Sequence, residues 1–333
     1  MKDLAVESRR GGIPESRHRV SVAVADADGR LVARAGDPDF VTFLRSAAKP
    51  FQALPVIEDG AAEHFNLSSE ELALACASHN SERRQVELVR RLLERIGCSE
   101  LDLACGGHLP LSVDLALPEG SGAPVQDHLP HTPIASNCSG KHAAMLALAR
   151  HRHWPVTGYE RPEHPVQERC RATLARWTGL APTSLGEATD GCGVVAFAVP
   201  LSAMAGAFAR LAASSEAAPR WVGRAMTAHP DLVAGRGRPC TALMQAYPGR
   251  LLAKVGAEGV YGAALLDRGI GIGLKVEDGH TWAAVTALIE VLGALGLEPP
   301  PAQLLPSFAH PVIRNTRGHA VGMFEPSGSL TFV

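Results

Sequence analysis

From Arg19 to Arg34, apolar and polar positions alternate around an Asp28-Gly29 pair. Period-two patterning on both sides of Asp-Gly predicts a β-hairpin. The period then becomes helical. Pro50 to about Ile57 reads as a core helix, with proline in the first turn, where its missing N–H costs nothing. Ser68 and Glu71 are spaced as a capping box, with Leu67 and Leu72 as its hydrophobic staple. That helix runs to about Ala77. From Glu82 to Ile96, residues Val86, Val89, Leu92, Leu93 and Ile96 share one face, and Gly97 closes the helix. An apolar helix covers Ala143 to Ala149. Another opens at Pro165 with Val166, Cys170, Leu174 and Trp177 at helical spacing. Further helices are predicted near 200–212, 216–228 and 281–295. Gly269 to Val276 alternates as a strand, and Pro311 to Phe324 reads as a closing hairpin turned at Arg317-Gly318. Strands at both ends with helices between them predict an α+β fold. One antiparallel sheet is built from both chain ends and packed with helices. The chain reads as one domain over 1–333, with a helical subdomain inserted around 60–230.

Composition narrows the classes. With 333 residues and 46% hydrophobic content, the chain can bury a sizeable core. A net charge of -2 with interspersed signs gives no nucleic-acid footprint. No stretch approaches the roughly 18 apolar residues of a membrane span. Met1 to Arg10 lacks the apolar core of a signal peptide, so a cytoplasmic protein is expected. Seven scattered cysteines fit reduced thiols.

Three short segments carry candidate chemistry. Arg45-Ser46-Ala47-Ala48-Lys49-Pro50 sets a hydroxyl and an amine three residues apart, on one face of a tight turn. An ordinary lysine, with a pKa of about 10.4, is a poor base. Burial and a second cation both depress it, and the non-ionisable neighbours of Lys49 suit burial. Ser78-His79-Asn80 follows a predicted helix, and Lys275 lies on a predicted late strand. The order S-x-x-K, S-x-N, then a strand lysine is that of serine β-lactamases and penicillin-binding proteins, although Lys275-Val276-Glu277 replaces their K-T-G. His79 and Asn80, directly after Ser78, are candidate substrate contacts. A serine and a lysine near the start of an ordinary helix, with Ser78 capping a turn and Lys275 solvated, are the plainer alternative.

Cys138-x-x-Lys141 and Asp190-x-Cys192 form a second constellation. Thiolates and a carboxylate are zinc donors, whereas buried free cysteines are also ordinary filler. Gly140-Lys141 lacks a phosphate loop's first glycine, having Ala135 there, and His142 stands where Ser or Thr belongs. His128, His131, His151 and His153 read as solvated, and Cys76, Cys98, Cys105, Cys170 and Cys240 as structural.

Together, Arg45–Pro50, Ala77–Asn80, Ser136-Asn137-Cys138-Ser139-Gly140-Lys141-His142, Asp190-Gly191-Cys192-Gly193 and Lys254-Val255-Gly256-Ala257-Glu258-Gly259-Val260 resemble the Rhizobium etli-type L-asparaginases. The similarity runs from about residue 15 to the C-terminus. It implies a serine β-lactamase/glutaminase-like fold, a homodimer, and hydrolysis of L-asparagine to L-aspartate and ammonia. It also implies two Ser–Lys tandems, falling on Ser46 with Lys49 and Ser78 with Lys275, Lys254 being the alternative second lysine. Zinc would fall on Cys138, Lys141 and Cys192, with Arg45 and Asp190 lining the pocket. One departure is Gly262, where the resemblance implies a cysteine. Two rivals stay open. One is a glutaminase, peptidase or β-lactam-processing enzyme using the same Ser–Lys machinery. The other is a non-catalytic zinc or amino-acid binding protein.

Overall fold

A computed structural model of the chain describes residues 3–108, 132–299 and 305–333. It divides into two compact units, one comprising residues 1–47, 198–214 and 242–333, the other 48–197 and 215–241. His128 and His131 lie outside the described residues.

The first unit is built on a sheet. β1 (Ala5–Arg10), β2 (Ile13–Ala25), β3 (Leu31–Ala35) and β4 (Val41–Phe43) come first in the chain. β5 (Gly186–Thr189) and β6 (Val195–Pro200) lie mid-chain, and β7 (Leu251–Gly256), β8 (Val260–Leu265), β9 (Ile270–Val276), β10 (Val312–Arg314), β11 (Ala320–Ser327) and β12 (Thr331–Phe332) come last. Nine of these strands form one sheet in the order β10-β11-β1-β2-β9-β8-β7, with β3 on β2 and β12 on β3. The pairings are antiparallel. The expected α+β arrangement, with a sheet assembled from both chain ends, is what is found.

Register explains how this sheet takes a helix on each face. Lys254 pairs Gly262, Gly262 pairs Gly273, and Lys275 pairs Ser21. Because side chains alternate along a strand, Lys254, Gly262, Gly271, Gly273 and Lys275 share one face. The Leu201–Ala213 helix lies on that face so closely that a Cβ at Gly271 would stand 2.0 Å from the Ala205 carbonyl oxygen. A Cβ at Gly262 would stand 2.1 Å from Phe208 Cε2. Where the resemblance implies a cysteine, this chain has filled the space from the other side with Phe208. The opposite face presents Val20, Val22, Val24, Ile272, Leu274 and Val276, all buried, and the Thr281–Ala294 helix packs on that side of the unit.

The second unit is helical. Lys49–Glu58 begins one residue before the expected start and carries Pro50 in its first turn. Ser69–Ala75 is capped as expected: Ser68 N donates to Glu71 Oε2 at 2.8 Å, and Glu71 N to Ser68 Oγ at 3.2 Å. Arg95 clamps the same buried carboxylate at 2.7 and 3.0 Å. Arg83–Arg95 follows, with Gly97 in the left-handed region. Ser139–His151 starts four residues earlier than the apolar pattern indicates. Its first turn is polar yet buried, which hydropathy does not reveal. Gly140 is required there because a Cβ would lie 2.3 Å from the Leu74 carbonyl oxygen. The glycine therefore serves helix packing. Pro165–Thr178 is capped by the His164 ring, which accepts from Val166 N at 3.1 Å. Among the described residues, no helix is long and apolar enough to cross a membrane.

Candidate active site

The helical unit folds its chemistry around one buried amine. Lys49 has no solvent exposure. Its Nζ donates to the Ala77 carbonyl at 2.5 Å and lies 2.9 Å from Ser78 Oγ. Ser69–Ala75 ends two residues short of the expected Ala77, and the chain leaves it through an Ala77 N to Leu74 O bond of 3.0 Å. Ser78 N then donates to Val233 O at 2.9 Å and His79 N to Asn137 O at 3.2 Å, fixing the loop. Local i, i+3 spacing gives no hint of the Lys49–Ser78 contact, because the partners are 29 residues apart.

His79 is the pillar beneath this loop. Ser81 N donates to its Nδ1 at 3.1 Å, so that nitrogen is the acceptor. Its Nε2 then carries the hydrogen and donates to Ser139 Oγ at 2.9 Å. Burial, with the Lys49, His108 and Arg238 charges adding to it, lowers the imidazole to about 3 and keeps it neutral. Both ring nitrogens of this candidate substrate contact are thus held by the protein. Asn80 is similarly engaged: its Oδ1 accepts from Arg238 Nη1 at 2.9 Å, and its Nδ2 reaches Arg236 O at 3.3 Å. Ser81 adopts φ 64° and its hydroxyl donates to the Ala135 carbonyl. A non-glycine residue in the left-handed region costs on the order of 1–3 kcal/mol, and such strain concentrates at functional sites.

Ser46 lies on the 3₁₀ turn Arg45–Ala48, which runs directly into the Lys49 helix. It is half-buried, and Arg45 before it has φ 50°. Two left-handed residues therefore accompany the two serine motifs. The Ala47 amide is occupied by Leu44 O at 3.0 Å. In the sheet unit, Lys275 Nζ is bound to the Val276 carbonyl and lies 3.4 Å from Glu277 O. Burial lowers its pKa, against Glu258, Asp278 and Glu277, which raise it. Lys254, also buried, donates to Val255 O at 3.0 Å.

Cys138, Lys141 and Cys192 do come together. Lys141 Nζ lies 3.0 Å from Cys192 Sγ, and Asp190 Oδ2 is 3.8 Å from the same sulfur. The Cys138 thiol and the Lys141 cation pull Cys192 down toward thiolate, against burial. The Cys192 contact and burial push Cys138 up. Burial alone would depress Lys141, but Cys192, Cys138 and Asp190 outweigh it and raise it. The result is a compensated thiolate–ammonium pair beside a thiol. Among the described residues, no group of three or more His, Cys, Asp or Glu side chains is placed to hold a metal ion. Two sulfurs nevertheless suit zinc in donor type; the Lys141 amine is an unusual third donor, and both it and Cys138 would have to release their protons on binding. All seven cysteines are free, and burial raises Cys105 and Cys170 to about 12, so these two stay protonated.

Sequence reasoning missed Arg238, His108, Ser139 and Tyr159 as parts of this centre. His108 Nε2 accepts from Asn137 N at 2.9 Å, and Tyr159 OH accepts from Ala104 N while lying 2.6 Å from His142 Nδ1. Ser139 stood inside a quoted motif, but nothing in the sequence marked the others. His151, at a helix end, packs its ring 5.0 Å from His64, and His153 is exposed.

The sequence matches the L-asparaginase II family over residues 6–326. The chain belongs to that family. No curated protein matches it by sequence. Among solved structures, the chain is similar to Mglu in its native form, at 18% identity with a TM-score of 0.47, covering 89% of this chain and 70% of that one. It is also similar to a β-lactamase, Mb2281c, from Mycobacterium bovis, at 14% identity and TM-score 0.44, covering 84% and 95%. An octameric penicillin-binding protein homologue from Pyrococcus abyssi matches at 14% and 0.32, covering 87% and 75%. Membership of the L-asparaginase II family makes this an asparaginase-type amidohydrolase.

Proposed function

We propose that the protein hydrolyses L-asparagine to L-aspartate and ammonia through a serine–lysine relay. The observation that carries this is the 2.9 Å contact between Lys49 Nζ and Ser78 Oγ in a buried site of an asparaginase-family chain. Ser46, one turn before Lys49, attacks the side-chain amide carbon, and Lys49 takes its proton. Ser78, bonded to Lys49, relays a proton to the leaving nitrogen, so ammonia departs neutral. Water then attacks the aspartyl ester with its proton going to Lys49, and aspartate leaves as Ser46 is restored. This is covalent catalysis with an amine base. Lys275 is assigned as the second amine, and Arg45 and Asp190 as contacts for the charged ends of the amino acid. His79 and Asn80 hold Ser78 in place.

Cys138, Lys141 and Cys192 are assigned as zinc ligands. Bound there, the metal would supply a fixed positive charge beside the site. The working unit is assigned as a homodimer on the strength of the family resemblance. An ammonia-release assay with asparagine and with glutamine, with and without chelator, tests the reading. Asparagine turnover should be lost in Ser46→Ala, and metal analysis of the purified protein should find zinc that Cys192→Ala lacks. Full activity in Ser46→Ala would remove the nucleophile assignment. Acylation by a penicillin-type probe together with no amide turnover would favour the β-lactam reading. Light scattering reads the dimer.

A further inference from the structure

We propose that Ser16 is a second nucleophile, distinct from Ser46. It is an exposed serine activated by His18 and Asp278, and it accepts acyl groups from small carboxylic esters arriving from solvent. The strand period places Ser16 and His18 on one face of β2, and antiparallel register sets Ser8 of β1 directly opposite Ser16. Asp278, in the turn after β9, lies 2.6 Å from His18 Nδ1, and its other oxygen accepts from His280 N at 3.1 Å. Burial raises the Asp278 carboxyl, but the hydrogen bonds from His18 and the His280 amide, with the charges of those two rings, outweigh it and hold it below its ordinary range.

A carboxylate only accepts, so His18 Nδ1 carries the hydrogen and Nε2 is left as an acceptor. That Nε2 faces Ser16 Oγ at 3.3 Å, and Ser8 Oγ lies 2.6 Å from the same oxygen. The consistent assignment runs Ser8 O–H to Ser16, Ser16 O–H to His18, and His18 N–H to Asp278. The imidazole is buried and packs with the His280 ring, 4.2 Å away, and the Phe324 ring, 5.9 Å away. Ser16 itself is exposed. A β-bulge at Ser8/Arg9 adjoins the trio, a device that often re-aims side chains beside active sites. Nucleophile, base and orienting acid are thus each in reach of the next, which is the arrangement that activates serine elsewhere.

In the reaction, Ser16 Oγ bonds to the ester carbonyl carbon as its proton passes to His18 Nε2. The bond from that carbon to the alcohol oxygen breaks, and the proton leaves with the alcohol. Water then attacks the acyl-serine, giving a proton to His18 that returns to Ser16 Oγ as the carboxylic acid departs.

The test treats the full chain with a fluorophosphonate and maps adducts by peptide mass spectrometry, beside p-nitrophenyl acetate hydrolysis. The expected result is an adduct on Ser16, formed about a hundredfold more slowly in His18→Gln and at least about tenfold more slowly in Asp278→Asn. Ester turnover should fall in Ser16→Ala while ammonia release from asparagine stays unchanged. The exposed Asp278→Asn substitution keeps the test valid if His18→Gln fails to fold. No adduct at Ser16, or the same adduct rate in the native protein and Asp278→Asn, overturns the proposal.

Discussion

The two units bury opposite kinds of interior. In the sheet unit, glycine and valine faces meet helices, and close approach is obtained by deleting side chains at Gly262 and Gly271. In the helical unit, Lys49, Ser78, His79, Ser139, Lys141 and His142 are all buried and polar. The first is an apolar packing problem, whose energetics follow shape. The second is a satisfaction problem, where each buried group needs its partner. Substitutions of these buried polar groups in the helical unit should therefore be felt first in activity, and those at the packed glycines of the sheet unit in stability.

The sharpest break is Lys49→Met. It should reduce ammonia release by at least about a thousandfold, as loss of a general base does at the upper end. Thermal melting should stay close to native, because a buried amine is replaced by an apolar chain of similar length. A fold that collapses in this variant would mean that the amine is structural.

On the sheet side, Gly262→Cys should destabilise the protein by about 1–3 kcal/mol in urea unfolding, since Phe208 already occupies the space. In a Phe208→Leu background the same change should cost less. A double-mutant cycle returning no coupling would sink the account of Gly262.

A third measurement is acid stability. His79 is neutral in the fold and titrates near 3, but near 6.5 when unfolded. The unfolded chain binds more protons between those values, so stability should fall as pH drops from about 6.5 toward 3. In His79→Gln the decline over that window should be shallower; equal slopes would remove His79 as its source.

The smallest effect is Ser68→Ala, which deletes the cap accepting from Glu71 N and should cost about 1 kcal/mol without altering turnover.

Much of the architecture was legible. The Asp28-Gly29 hairpin, the Ser68/Glu71 box and the β9 alternation are local signals, and each element formed. β1, joined to β2 through Gly11-Gly12, was missed because its six residues carry mixed polarity, and β7 and β8 because continuous burial leaves no alternation. The start of Ser139–His151 was misplaced because its buried polar turn reads as a loop.

Within the site, the serine and lysine motifs and the Cys138–Lys141–Cys192 grouping were visible as residue types at suggestive spacing. Arg238, His108 and Tyr159 were not, since their roles rest on partners far along the chain.

Sequence alone determined most of the helices, the β2–β3 hairpin and β9, that the sheet draws on both chain ends, and which residue types are available for chemistry. Those are properties of periodicity, caps and turns, which act over a few residues. Tertiary structure decided that Lys49 bonds Ser78, that Lys141 meets Cys192, that Phe208 stands where Gly262 leaves room, and that Ser16, His18 and Asp278 form a line. Each of those contacts is set by strand register or helix packing, and no local pattern encodes the distance between residues that only folding brings together.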